Sequence, residues 1–191
     1  GDTLLGNGGD DNISGNDGDD LLRGGAGSDA LNGGAGLDTA DYAGSGAAVT
    51  VNLLTGLGSG GDAADDTLSA IENIIGSLFN DTLTGGLGGD NVNGGAGNDT
   101  IVYAFGDGAD AMDGGLGTDT LNVTGTTGAD ILDVVFNGAA LTTLEGGSLT
   151  GVERVNANLG AGDDTLSYAA TVAAVTPPAP SVRTVSRTVV T

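Results

Sequence analysis

The chain has 191 residues, 39 of them Gly, with no Trp, Cys, Lys or His, and its 26 acids against four Arg give a net charge of −22. That charge works against nucleic acid or an anionic membrane as a direct partner, and no apolar run approaches the ~18 residues of a membrane span. Without Cys there is no disulfide framework, and an oxidising compartment is permitted. Without His or Cys, zinc, copper and iron–sulfur centres lack their usual ligands. Nearly all the acid is Asp, with Glu only at 72, 145 and 153. A short carboxylate stays close to its own backbone, as turns and metal loops require.

Residues 1–41 form a first array. The opening "GDTLL" is half of a repeat, with Asp2 and Leu4 in frame, and predicts a fragment of a longer chain. From residue 6 the chain cuts into nonapeptides: "GNGGDDNIS", "GNDGDDLLR", "GGAGSDALN" and "GGAGLDTAD". Position four is Gly9, Gly18, Gly27 and Gly36, position six is Asp11, Asp20, Asp29 and Asp38, and position eight is aliphatic. Residues 42–75 lose the period and are predicted to be an irregular β connection. "AVTVNLL" (48–54) alternates like a strand, "GLGSGGD" is a loop, and "TLSAIENI" (67–74) leads back to the period.

Residues 76–133 form a second array, "GSLFNDTLT", "GGLGGDNVN" and "GGAGNDTIV", then "FGDGADAMD", "GGLGTDTLN" and "GTTGADILD" offset by inserted residues. Its sixth positions are Asp81, Asp90, Asp99, Asp110, Asp119 and Asp130, and Gly88, Gly97 and Gly117 are among its fourth; Phe79 is the exception there. Residues 134–168 are predicted to be irregular strands with a final repeat, "LGAGDDTLS", carrying Asp164. Within them "SLTGVERV" (148–155) repeats the class pattern of "TLSAIENI". Glu72 and Glu153 occupy the same place in these octets, where an acid on a solvated strand face is the simpler reading and a terminal metal ligand the sharper one. Residues 169–191 hold all three prolines and no Gly or Asp, and are predicted to be a disordered tail.

Gly at positions one, two and four allows positive φ and turns carbonyls toward one point. Carbonyls with an Asp carboxylate are hard oxygen ligands that suit calcium. Positions seven to nine make a short strand whose middle residue faces inward. One aliphatic side chain in nine residues does not offset the entropy of ordering them, and repulsion among the carboxylates adds to the cost. A shared divalent ion removes that repulsion, so the repeats are expected to need calcium to fold.

The pattern Gly-Gly-x-Gly-x-Asp-x-aliphatic-x resembles the RTX (repeats-in-toxin) family, the hemolysin-type calcium-binding repeat, over residues 1–41 and 76–167. The resemblance implies an all-β fold, a right-handed parallel β-roll or β-helix solenoid with several calcium ions in the Gly/Asp-rich turns. In such a roll two nonapeptides make one coil, and the ion sits between turns on one edge. The metal ligands it implies are the sixth-position aspartates, Asp2 included, with the turns of the fourth-position glycines. It also implies a secreted, extracellular bacterial protein, type I secretion machinery as a partner, and an upstream catalytic or adhesive domain. The usual secretion-signal ending, an acid followed by several hydrophobic residues, is absent from the tail.

No catalytic set is visible: there is no His, Lys or Cys, no Gly-x-Ser-x-Gly elbow and no phosphate loop. The acid pairs Asp10/Asp11, Asp19/Asp20 and Asp163/Asp164 each place their second member at position six, which favours ligation over acid–base chemistry. The segment is therefore read as a calcium-binding module and not an enzyme. The alternatives are the C-terminal part of a larger protease, lipase or polysaccharide-modifying enzyme, or of an adhesin or surface-layer protein. The sequons at Asn12, Asn80, Asn98 and Asn122 follow from repeat composition.

Overall fold

The computed structural model describes residues 1–136 and 141–170. Among them are 19 strands and one 3-10 turn, Gly61–Ala63, and no α-helix. Each strand of the first array starts at position seven of a nonapeptide, and all but the last, Thr39–Asp41, run into the turn of the next. In Asn12–Asp17 only Ile13 and Gly15 are buried, so the alternation of a strand puts one aliphatic side chain inside and its polar neighbours outside.

Successive nonapeptides go to opposite sheets. Thr3–Gly8, Leu21–Ala26 and Thr39–Asp41 pair in parallel in one sheet, while Asn12–Asp17 and Ala30–Ala35 pair in parallel in the other. Leu4 faces Leu22 and Ile13 faces Leu31, so one coil is two nonapeptides. The eighth-position residues from Ile13 to Leu132 form a single core between the sheets, with Leu22, Leu83 and Leu121 wholly buried. Leu166 is the departure, 43% exposed, on the last strand of its sheet among the described residues. The fold is an all-β roll of two sheets dominated by parallel pairing.

The connection at 42–75 takes part in both sheets. Asn73–Ile75 pairs in parallel with Thr39–Asp41 before it and Asn91–Asn93 after it, which makes the first sheet continuous. In the second sheet, Thr67–Ser69, Leu57–Ser59 and Thr50–Asn52 form an antiparallel meander between Ala30–Ala35 and Thr82–Thr84. A second antiparallel insertion, Ile131–Phe136, Leu141–Leu144 and Gly147–Thr150, lies in the first sheet. The two similar octets thus cross between sheets in opposite senses: Thr67–Ser69 to Asn73–Ile75, and Gly147–Thr150 to Arg154–Asn158. Of the predicted tail, Ala169 and Ala170 end the strand Thr165–Ala170, and 171–191 lie outside the described residues.

The single aliphatic layer makes each eighth-position residue costly to truncate. Leu121→Ala should destabilise the folded protein by about 2–5 kcal/mol. Leu116→Ala, five residues away on a side chain 75% exposed, should change stability by about 0.5 kcal/mol or less. Chemical denaturation of both variants at one fixed calcium concentration checks this.

Candidate metal centre

Each turn is shaped by glycines with different jobs. Position four is at positive φ in most turns, from Gly9 at 105° and Gly18 at 118° to Gly27, Gly36, Gly88, Gly97 and Gly117, but not at Phe79 or Gly128. Position two is also at positive φ in most turns, where Asn7 and Asn16 stand at 76° and 73°, as asparagine tolerates. Position one is different from the expectation: its φ is ordinary, and what it lacks is room. A Cβ on Gly15 would lie 2.5 Å from Asp20 Oδ2 and 2.5 Å from the Gly33 carbonyl oxygen one coil on. Gly6 and Gly94 are crowded in the same way, by Asp11 with Gly24 and by Asp99 with Gly114.

The sixth-position carboxylates stack along the edges of the roll. In the regular stretches Oδ1 accepts the backbone N–H of the counterpart one coil earlier: Asp29 from Asp11 at 2.8 Å, Asp38 from Asp20 at 2.8 Å, Asp99 from Asp81 at 2.8 Å, Asp119 from Asp99 at 2.7 Å. Asp110 accepts from Asp90 and Asp164 from Asp130. Asp2, exposed at the chain start, donates its N–H to Asp20 Oδ1. Position five builds a second ladder of opposite sense on the outside. Asp10 accepts the Ser28 N–H, Asp19 that of Leu37, and Asn80 that of Asn98.

The other carboxylate oxygen decides the chemistry. Oδ2 of Asp11, Asp20, Asp29, Asp38, Asp99 and Asp119 is buried and has no hydrogen-bond donor. A charged oxygen sealed from water without a partner is strongly unfavourable, and in these turns a carbonyl of the next coil shares its surroundings. Acceptors gathered without a proton between them call for a cation. No group of three His, Cys, Asp or Glu side chains converges among the described residues, so carbonyls must supply most of the ligands. A hard, oxygen-only, carbonyl-rich donor set fits calcium, which takes six to eight such oxygens.

Three sixth-position aspartates are satisfied differently. Asp81 Oδ2 accepts the Ser77 N–H at 2.5 Å, and its Oδ1 accepts the Ser77 hydroxyl at 2.8 Å and the Val49 N–H at 2.7 Å. Asp130 has the same arrangement with the N–H and hydroxyl of Thr126, at 2.7 and 2.8 Å. Asp90 Oδ2 accepts only the Gly86 N–H, at 2.6 Å. In these three turns position two is not at positive φ.

Sequence reasoning missed one ladder member and misread two. Asp66, outside the arrays, accepts the Asp29 N–H at 2.8 Å on Oδ1 and the Tyr42 hydroxyl at 2.9 Å on Oδ2. Its signal was present: "DDTLS" at 65–69 recurs at 163–167, inside the final repeat. Glu72 and Glu153 lie just outside the strands, Glu72 half-buried and Glu153 exposed, and both are members of the ladder. Their Oε2 atoms accept the N–H groups of Asp38 and Asp119 at 2.9 and 2.7 Å, in place of the next aspartate. The longer side chain reaches the ladder from the crossing between sheets.

The family described as "RTX calcium-binding nonapeptide repeat (4 copies)" matches residues 2–40, 68–101 and 106–121. The chain carries RTX repeats. Its calcium-binding RTX turns are the source of the two ladders, and the match runs through Glu72 into the second array. No curated protein matches the chain.

Burial raises the carboxyls of RTX residues Asp99 and Asp110 from 3.8 to about 6, opposed by a backbone hydrogen bond and reinforced by neighbouring aspartates. Asp66 is pushed up to about 6 as well, again mainly by burial. A raised carboxyl favours the folded state below the unfolded value of 3.8, and that contribution is lost as pH rises through about 6. In EDTA, acidification from pH 7 to 4 should therefore increase the strand signal in circular dichroism. In millimolar calcium the order should reverse, because protons compete for the same oxygens. An EDTA spectrum that does not gain strand on acidification contradicts this.

Proposed function

We infer that the chain is a secreted calcium-binding module that folds on binding several calcium ions outside the bacterial cell, and that this segment is a scaffold and not a catalyst. The observation that carries the reading is the set of six buried Oδ2 atoms without donors. Asp11, Asp20, Asp29, Asp38, Asp99 and Asp119 would hold the ions, together with turn carbonyls such as those of Gly24, Gly33 and Gly114. Bound calcium supplies the positive charge that these stacked acceptors lack, and its binding free energy adds to folding free energy.

The chain's own part is to position oxygens. Position-one glycines keep Cβ atoms out of the gap, the Oδ1 ladder fixes each carboxylate, and the aliphatic layer holds the coils in register. Location follows from concentration. Extracellular modules bind calcium at about 10⁻⁴–10⁻³ M, so submicromolar cytosolic calcium would leave the acidic chain open and able to pass a secretion channel. The same dependence suits a segment attached to an upstream enzyme or adhesin that must fold only after export.

Isothermal titration should reach saturation at several calcium equivalents; saturation at one would refute the reading. Within a single nonapeptide, Asp20→Ala should raise the calcium needed for folding far more than Asp17→Ala. Asp20 is buried on the ladder, and Asp17 is an exposed residue of the turn. Equal calcium midpoints for the two variants would mean that position six is not the ligand position.

A further inference from the structure

Resting on the calcium reading, we propose that Asp66, Asp81 and Asp130 are metal-free latches: the Tyr42 hydroxyl and the backbone N–H groups of Ser77 and Thr126 hold the Oδ2 atom that a cation meets elsewhere on the roll, and the Ser77 and Thr126 hydroxyls hold Oδ1 as well. The aspartates concerned send Oδ1 or Oδ2 toward neighbouring backbone, but among the described residues only these three have a hydroxyl donor on the carboxylate. Asp81 receives three hydrogen bonds: one from Val49 and two from Ser77. A carboxylate holding that many donors is stable as an anion without a metal.

The backbone agrees with the side chains. Where Oδ2 is buried and unpartnered, position two is at positive φ: Asn7, Asn16, Gly25, Gly34, Gly95 and Gly115. At Ser77 and Thr126, as at Gly86, it is not, and the N–H turns inward onto Oδ2. Ser and Thr are poorly suited to the left-handed region that Gly and Asn enter. A hydroxyl residue at position two thus closes the turn by its φ and completes the closure with its side chain.

Placement gives the latches a role. Asp66 precedes Thr67–Ser69, the strand of the first antiparallel meander that pairs with Ala30–Ala35, and Asp81 precedes Thr82–Thr84, the strand that flanks the meander on its other side. Asp130 precedes Ile131–Phe136, which belongs to the second meander. At each interruption a coil has a neighbour that is not a nonapeptide turn. Val49, for example, stands where the ladder would have an aspartate. A cation there would lack ligands from one side, whereas a hydroxyl needs only the one carboxylate. The latches join calcium-dependent stretches to the insertions and keep the register there independent of metal.

The test is calcium stoichiometry by titration calorimetry on the full chain, paired with melting of the calcium-saturated protein. Asp99→Asn should lose at least one calcium equivalent. Asp81→Asn should keep the wild-type count and melt lower. Ser77→Ala, a milder change, should also keep the count and lower the melting temperature by about 4 °C, from a lost hydrogen bond to a charged group. Loss of calcium by Asp81→Asn equal to that of Asp99→Asn would overturn the latch while leaving the calcium module intact. An unchanged melting temperature in Ser77→Ala would overturn it too. Absence of calcium uptake by the wild-type chain would fail the calcium reading itself, and the latch with it.

Discussion

A carboxylate oxygen sealed from water, with an acceptor beside it and no donor to bind, is the constraint around which this roll is organised. It appears six times along the two edges, at Asp11, Asp20, Asp29, Asp38, Asp99 and Asp119. No arrangement of the surrounding side chains removes it, because the neighbours are glycines and carbonyls. The glycine content follows from the same constraint. Positions two and four bend the backbone, and position one leaves no room for a methyl group. The preference for Asp also follows, since a short side chain keeps its carboxylate within the turn. Glu72 and Glu153 take the ladder position at the crossings between sheets.

The core is subordinate to this edge chemistry. One aliphatic side chain from each nonapeptide, in a single layer between the sheets, fixes register without supplying a large hydrophobic interior. A net charge of −22 spread over such a frame opposes compaction. The two meanders interrupt the repeat in opposite sheets, yet each leaves the other sheet continuous, so the coil keeps its course through both insertions. At those interruptions the carboxylates are met by Tyr42, Ser77 and Thr126, and the demand for a cation ceases where the ladder loses its neighbour.

The repeating features were legible because many copies report the same requirement. Leu22, Leu31 and Leu83 occupy position eight and are buried; Asp20, Asp29 and Asp99 occupy position six and stand on the ladder. Features that occur once or twice were harder to read. Asp66 lacks the glycine turn that normally precedes the ligand position, so only "DDTLS" marked it. Ser77 and Thr126 look like ordinary variation until their hydroxyls are seen on Asp81 and Asp130. The repeat pattern alone points to backbone freedom at position-one glycine, whereas its cause is the close approach of a carbonyl from the next coil. That contact depends on stacking at long range, which no local pattern encodes.

The central claim is that compensation of these oxygens drives folding, and far-UV circular dichroism at pH 7 tests it most directly. In EDTA the chain should be mostly disordered, in millimolar magnesium little changed, since magnesium demands a tight octahedron and keeps its waters. Millimolar calcium should produce the strand spectrum of the two-sheet roll. A strand spectrum that persists unchanged in EDTA at neutral pH would contradict the account.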